Sequence, residues 1–261
     1  SGTAIIDTLG DQHCATGRPI VYTSADSVFQ IAAHEDVVPL PRLYEWCQAA
    51  YELAVEGLGL GRVIARPFVG ASGAYRRTAN RHDYAMSPTG ETLLDRLSGS
   101  LVPVTTVGKV ADLFAGRGVT RSIPTATDDE GMDALVGLMT DGTRGLLFAN
   151  LVDFDSKYGH RNDVAGFAAN LERFDRRLPE VLAALDDDDV LIVTADHGND
   201  PTTPSTDHSR EFVPLLVTAP WLTAPRALGV RRSFADVGQT LAAWFGLPPL
   251  VHGTSFLADL R

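Results

Sequence analysis

The stretch Val193-Thr-Ala-Asp-His-Gly-Asn-Asp200 sets Asp196 and His197 side by side at the end of an apolar run, Val190 to Val193. That run reads as a buried parallel strand, and open α/β sheets carry their chemistry at the C-terminal ends of strands. His208 follows in a loop rich in Pro, Thr and Asp. Upstream, Asp153-Phe-Asp155 and then His160 come after a second apolar run, Gly145 to Val152. Carboxylate and imidazole together are ligands for Mn²⁺, Zn²⁺ or Fe. Two such groups suit a two-metal site, in which ions about 4 Å apart serve phosphoryl chemistry. A lone Asp-His pair after a strand is commonly a cap or a turn. Two clusters in one region, holding three of the chain's seven histidines, make metal as good a reading of the spacing as a turn.

The elements that must position these residues follow from periodicity. Residues 89–261 alternate strand and helix. Strand signals lie at Val104–Val107, Gly145–Val152, Val190–Thr194 and Phe212–Thr218, and helical patterns at 128–140, 162–185 and 234–245. In the 162–185 helix, Val164, Phe167, Leu171, Phe174, Leu178, Leu182 and Leu185 share one face. The acidic run Asp186–Asp189 precedes its strand and reads as a solvated turn. This alternation predicts a largely parallel sheet with helices on both faces. Residues 1 to about 88 form a separate unit. Ile20–Thr23 reads as a strand. Ser24-Ala-Asp-Ser27 is expected to open a helix running to about His34, capped by Ser24 or Asp26. A second helix follows Pro41, with Leu43, Trp46, Cys47, Ala50, Tyr51 and Ala54 on its buried face and Gly57 and Gly59 as its stop. Arg62–Val69 reads as a strand that Pro67 assigns to an edge or a terminus. A polar, basic stretch then carries Arg76, Arg77 and Arg81.

Composition narrows the function classes. The 261 residues are 44% hydrophobic and 21% charged, an ordinary globular mixture. No apolar run approaches the roughly 18 residues that span a bilayer, and no signal peptide is visible. The net charge of −11 argues against a broad nucleic-acid or anionic-membrane surface. Two cysteines, Cys14 and Cys47, are no disulfide framework, so a reducing cytoplasm is the expected compartment.

Longer motifs carry a resemblance. They are Val21 to Glu35, Arg62 to Phe68, Arg77 to Ala85, Asn150 to Asp155 with Tyr158 to Arg161, Thr194 to Asp200, Thr206 to Arg210, and His252-Gly-Thr-Ser-Phe256. In order and end to end, they resemble the phosphopentomutase family of the alkaline phosphatase superfamily. The resemblance implies an alkaline-phosphatase-like core over 89–261 and part of a smaller α/β cap domain over 1–88. It implies interconversion of ribose 1-phosphate, or the 2-deoxy sugar, with ribose 5-phosphate in nucleoside salvage. It also implies two Mn²⁺ per complete site and a sugar bisphosphate activator. Asp155, His160 and His208 match the ligands of one ion, and Asp196 and His197 those of the other. Asp153 competes with Asp155, which is preferred because the family ligand falls five residues before the His. Ser24, Asp26 and Val28 match a ribose-facing turn, Arg66 and Arg77 match phosphate contacts, and Lys109 matches a basic residue near the cap–core junction. Arg81 is a weaker candidate. For each basic residue the alternative is a surface salt bridge.

The sequence departs from the family at its start. Family members open with a strand bearing another ligand Asp, followed by a Thr nucleophile, and Ser1–Asp7 matches a point inside the cap. No nucleophile is assigned here. The expectation is a chain that holds one ion weakly, leaves apolar surface uncovered and does not turn over unaided. A Ser at position 205 replaces a usual Gly, which the turn tolerates if φ stays negative. A cofactor-independent phosphoglycerate mutase or a metal-dependent phosphatase of the same superfamily is the nearest alternative. A non-catalytic fragment completed in trans by a missing N-terminal segment is another.

Overall fold

A five-stranded mixed sheet organises the first of two units, Ser1–Thr89, in the computed structural model, which describes residues 2–24, 28–56 and 60–260. Its elements are α1 (Gly2–Thr16), β1 (Ile20–Ser24), β2 (Val28–His34), α2 (Leu40–Tyr51), β3 (Arg62–Val69), β4 (Arg76–Arg77) and β5 (His82–Ala85). β2 pairs antiparallel with β1 and parallel with β3, and β4 and β5 both run antiparallel along the far side of β3. Side chains alternate across a strand, so β2 and β3 feed two cores. Ile31, Ala33, Val63 and Ala65 pack with Leu43 and Cys47 of α2. Ala32 and Phe68 pack with Ile6 of α1, Ile20 and Tyr75. Each large apolar side chain sealed in this way contributes about 1.5–3 kcal/mol. Within the second core, His13 donates from Nδ1 to the Arg18 carbonyl at 2.6 Å and accepts at Nε2 from the His34 backbone at 2.9 Å, which makes it a structural histidine.

Two expectations for this unit are corrected. Val28–His34 is a strand, paired antiparallel with β1 so that Ser24 stands opposite Val28, where a helix running to about His34 was expected. Both faces of β2 are buried, so its sequence lacks the alternation that marks a half-exposed strand. β3 is interior, not an edge. Its Pro67 is tolerated because the Pro67 carbonyl accepts from Thr78 N, between the stretches paired with β4 and β5. The missing N–H points to that same side, where the ladder is already interrupted. Gly57, Gly59 and Asp26 lie outside the described residues.

The second unit, Gly90–Arg261, contains α3 (Leu93–Gly99), β6 (Val104–Val107), α4 (Val110–Leu113), β7 (Arg121–Ile123), α5 (Asp128–Thr140), β8 (Leu146–Ala149), α6 (Val164–Ala183), β9 (Leu191–Thr194), β10 (Leu215–Thr218) and α7 (Ala235–Trp244). β7, β6 and β8 form a parallel sheet in that order, with α3, α4 and α5 packed against β6. The fold is thus mixed α/β with a parallel sheet and packed helices. The Val190–Val193 run is corrected: β9 is half-buried and pairs antiparallel with β10, in a ladder separate from the parallel sheet. Its short apolar run fits either sense of pairing, and the Phe212–Thr218 run that follows supplies an antiparallel partner. Asp186–Asp189 closes a turn by reciprocal bonds between its end residues. On α6, Val164, Leu171 and Leu182 stay 43–54% exposed, so the apolar face is only half covered. No helix among the described residues is long and apolar enough to cross a membrane.

Candidate metal centre

Parallel pairing of β6 with β8 delivers two chain exits at one end of the sheet, because Val107 stands opposite Ala149. Beyond β6, Gly108 takes φ +81°, and any Cβ there would overlap the Asn150 carbonyl, so glycine lets the two exits approach. Lys109 follows, exposed, at the start of α4. Beyond β8 the chain enters a π-helical turn, Phe154–Tyr158, and a 3₁₀ turn, Gly159–Arg161. Phe154 meets Phe167 of α6 edge-on, at 5.3 Å between ring centroids, and Tyr158 is buried, which pins the turn to the helix. Asn162 ends it in the left-handed region at φ 52°, a conformation Asn tolerates. Asp163 then caps α6 by accepting from Gly166 N at 2.9 Å.

The second half of the site lies past β9. Gly198 and Ser209 form an isolated antiparallel bridge, and Ser209 Oγ accepts from Asp200 N at 2.7 Å. A side chain at Gly198 would overlap the Ser209 carbonyl, so the bridge requires glycine. Ser205 is not among the residues of positive φ, and its hydroxyl accepts from Asp207 N at 3.0 Å. The bridge holds His197 against His208, their rings stacked at 3.7 Å and 19°. His160 stacks on His208 from the π-turn side at 4.8 Å.

Asp155 is the carboxylate between these rings. Its Oδ1 lies 3.2 Å from His208 Nε2 and its Oδ2 lies 3.3 Å from His160 Nε2. Asp155, His197 and His208 each present a donor atom within 4.8 Å of the others. Two atoms that each bind one ion at about 2.0–2.2 Å stand roughly 3.0–3.5 Å apart, and the Asp155 contacts match that spacing. The tautomers also suit ligation. His160 donates from Nδ1 to the Thr206 carbonyl at 2.5 Å, and His197 Nδ1 faces the Gly198 carbonyl at 3.2 Å. Each Nε2 lone pair is then free for a metal. The donor set therefore fits a divalent ion. Asp196 is largely exposed, 3.6 Å from His197 Nε2. His208 stacks with rings from both ligand groups, His160 of its own and His197 of the other.

Asp153 does something else. It is buried, its N–H donates to Asp128 Oδ1 at 2.8 Å, and its Oδ2 accepts from Asp128 N at 3.3 Å. Asn170 of α6 donates to Asp128 Oδ2 at 2.7 Å. Burial pushes the Asp128 carboxyl above its ordinary range, against the pull of these hydrogen bonds. This buried knot ties the π-turn to α5 and α6, and sequence reasoning missed it. Asn199 was also missed: it donates to Asp155 Oδ1 at 2.7 Å.

In the first unit, Ser24 ends β1 and Val28 begins β2. Arg66 donates from Nε to the buried Gln30 Oε1 at 2.8 Å. Burial, and then repulsion from Arg81 and Arg77, hold the Arg66 guanidinium below its usual pKa, against the opposing pull of Tyr22 and Asp83. Arg81 already forms two 2.5 Å bonds to Asp83. Arg77, in β4, is exposed.

The Metalloenzyme superfamily pattern matches residues 5–249. A phosphopentomutase from Caldanaerobacter subterraneus subsp. tengcongensis is 54% identical over 260 residues, which are 100% of this chain and 66% of that one. One from Acetivibrio thermocellus is 53% identical over 260 residues, 100% and 67% of the two chains. One from Thermotoga maritima is 55% identical over 258 residues, 98% and 66%. The chain thus spans about two thirds of the length of the curated relatives it matches. A crystal structure of Leishmania mexicana phosphoglycerate mutase superposes with a TM-score of 0.50 at 20% identity, over 62% of this chain and 38% of that one, which is a likeness of fold alone. The chain belongs to the Metalloenzyme superfamily and, within it, to the phosphopentomutase family.

Proposed function

We propose that this chain supplies the metal centre and the phosphate-gripping arginines of a phosphopentomutase that interconverts ribose 1-phosphate, or its 2-deoxy form, with ribose 5-phosphate. The observation that carries the reading is Asp155 held between His208 and His160, with His197 stacked on His208. Asp155, His160, His197 and His208, with Asp196 beside them, are the residues that would hold two divalent ions, and we take Mn²⁺ as the native metal. When bound, such ions screen phosphate charge and polarise the phosphoryl oxygens. The protein's own part is to fix the ligands. The carbonyls of Thr206 and Gly198 set the imidazole tautomers, and the buried Asp128–Asp153 pair holds the π-turn. Arg66, kept in place by Gln30, and Arg77 would grip the phosphate that does not transfer, through charge-assisted bonds that Arg can make bidentate. Lys109, at the sheet end that also delivers Asp155, would add a further cation. Ser24, Asp26 and Val28 would face the ribose. No nucleophile is assigned among these residues, and the phosphoenzyme, the 1,5-bisphosphate intermediate and its activator role belong to the proposal for the whole protein, as does a cytoplasmic site of action.

Since the chain spans about two thirds of its relatives, binding is the first test. Calorimetry with Mn²⁺ present should show ribose 5-phosphate binding more tightly than 3-phosphoglycerate, and Asp155→Ala should lose the metal. Equal or inverted preference would remove the pentose reading. Metal retained by Asp155→Ala would remove the centre.

A further inference from the structure

We infer that Asn199 is a positioning residue for the metal ligand Asp155 and that Gly159 is glycine in order to admit it. This rests on the metal reading proposed above. Asp155 has two oxygens and two imidazole neighbours, one on each. A carboxylate on a short side chain turns readily about its terminal bond. Something must hold it with Oδ1 toward His208 and Oδ2 toward His160. The Asn199 amide does so, donating from Nδ2 to Oδ1 at 2.7 Å from the opposite half of the site.

The second observation is independent of that bond. A Cβ built on Gly159 would overlap Nδ2, Cγ and Oδ1 of Asn199, so the carboxamide lies against the bare backbone between the π-turn and the 3₁₀ turn. Gly159 has no positive φ, and its backbone conformation does not demand glycine. The room left for the amide is what demands it. Asn199 itself is carried by the Gly198–Ser209 bridge, so the hydrogen bond ties the two halves of the centre together. Asn162 makes a parallel tie, donating from Nδ2 to the Thr203 carbonyl at 2.6 Å.

An amide donor on a ligating carboxylate is an outer-shell contact, and loss of such contacts typically lowers metal affinity about 10- to 100-fold. The test is Mn²⁺ binding to the full chain, read as loss of the free-ion electron paramagnetic resonance signal. Asn199→Ala and Gly159→Ala should each weaken binding about 10- to 100-fold. Their double variant should be little worse than either alone, because both remove one contact. The spectrum of bound Mn²⁺ should broaden in both as the carboxylate loses its single orientation, a change that general loosening elsewhere in the fold would not give. If Asn199→Ala fails to fold, the Gly159→Ala affinity and spectrum carry the test. Wild-type affinity in Asn199→Ala, or fully additive losses, would overturn this role and leave the metal centre standing. A wild-type chain that takes up no Mn²⁺ would overturn the metal centre and this role with it.

Discussion

His208 is the residue on which both halves of the centre lean, since its ring stacks with those of His160 and His197 and its Nε2 faces Asp155. His208→Ala should therefore abolish binding of at least one divalent ion. Arg77→Ala should leave the metal untouched and weaken ribose 5-phosphate about 10- to 100-fold, the loss of a hydrogen bond to a charged group being worth about 1.5–3 kcal/mol. Metal analysis after gel filtration, together with calorimetry on both variants, checks the pair. A common effect of the two would end the division of labour between metal and phosphate grip. At this scale the sequence was legible where chemistry is carried by titratable side chains at short spacing. Between Asp153 and Asp155 the choice came from the family resemblance and not from the residues alone, and the structure puts Asp155, not the buried Asp153, against the imidazoles. Asn199 stood in plain view within the Asp-His-Gly-Asn motif. An amide advertises no ligand chemistry, and its role depends on a glycine forty residues earlier in the chain, a coincidence only folding reveals. Gln30 behind Arg66 escaped for the same reason.

Elements were readable where one periodicity dominated. α5 matches the 128–140 pattern, and β6, β8, β9 and β10 fall within their apolar runs. The 28–34 strand was misread because Ser before an apolar run is a helix-cap signal, while a strand buried on both faces lacks the alternation that would have marked it. Only the pairing of β2 between β1 and β3 decides. α3 illustrates a cap whose chemistry reaches the pH axis. Thr92 accepts from Asp95 N, and the Asp95 carboxylate accepts from Thr92 N at 2.7 Å, closing a capping box. Burial pushes the Asp95 carboxyl up, but the Thr92 backbone and hydroxyl and the Arg117 guanidinium outweigh it and hold the group below its ordinary value. A carboxyl depressed in the folded state adds stability that is present above its unfolded pKa and disappears as pH falls through the folded one. Thr92→Ala should cost about 1 kcal/mol at pH 7, and the share of that gap owed to the Asp95 charge should shrink as the pH drops below about 4, while the bond from Asp95 N to Thr92 keeps the rest. Urea melts at pH 7, 5 and 3.5 measure both. A gap that widens on acidification would show that the box does not set the Asp95 charge.

Over the whole molecule, two opposing tendencies meet. The second unit leaves Phe148 of β8, Leu171 and Val164 of α6, and Leu216 of β10 between 40% and 62% exposed, and Phe212 at 88%. β8 also ends its parallel sheet, and β9 and β10 stand as a two-stranded ladder, so among the described residues unpaired strand edges accompany the apolar side chains. Edges and apolar surface of this kind invite association. The formal net charge of −11 opposes it by mutual repulsion between chains. Repulsion between surface charges is screened over about 10 Å at 0.1 M salt and about 3 Å at 1 M, whereas apolar contact is not weakened by salt. Raising ionic strength should therefore drive the 28.0 kDa chain toward larger species, and so should lowering the pH toward its isoelectric point near 5.0. Phe148→Ser with Leu216→Ser, both on exposed strand positions, should reduce that growth without abolishing Mn²⁺ binding. Light scattering across a salt series at fixed concentration reads the size directly. A wild-type chain whose mass falls as salt rises would mean that attraction between charges, and not the apolar surface of the second unit, brings copies together.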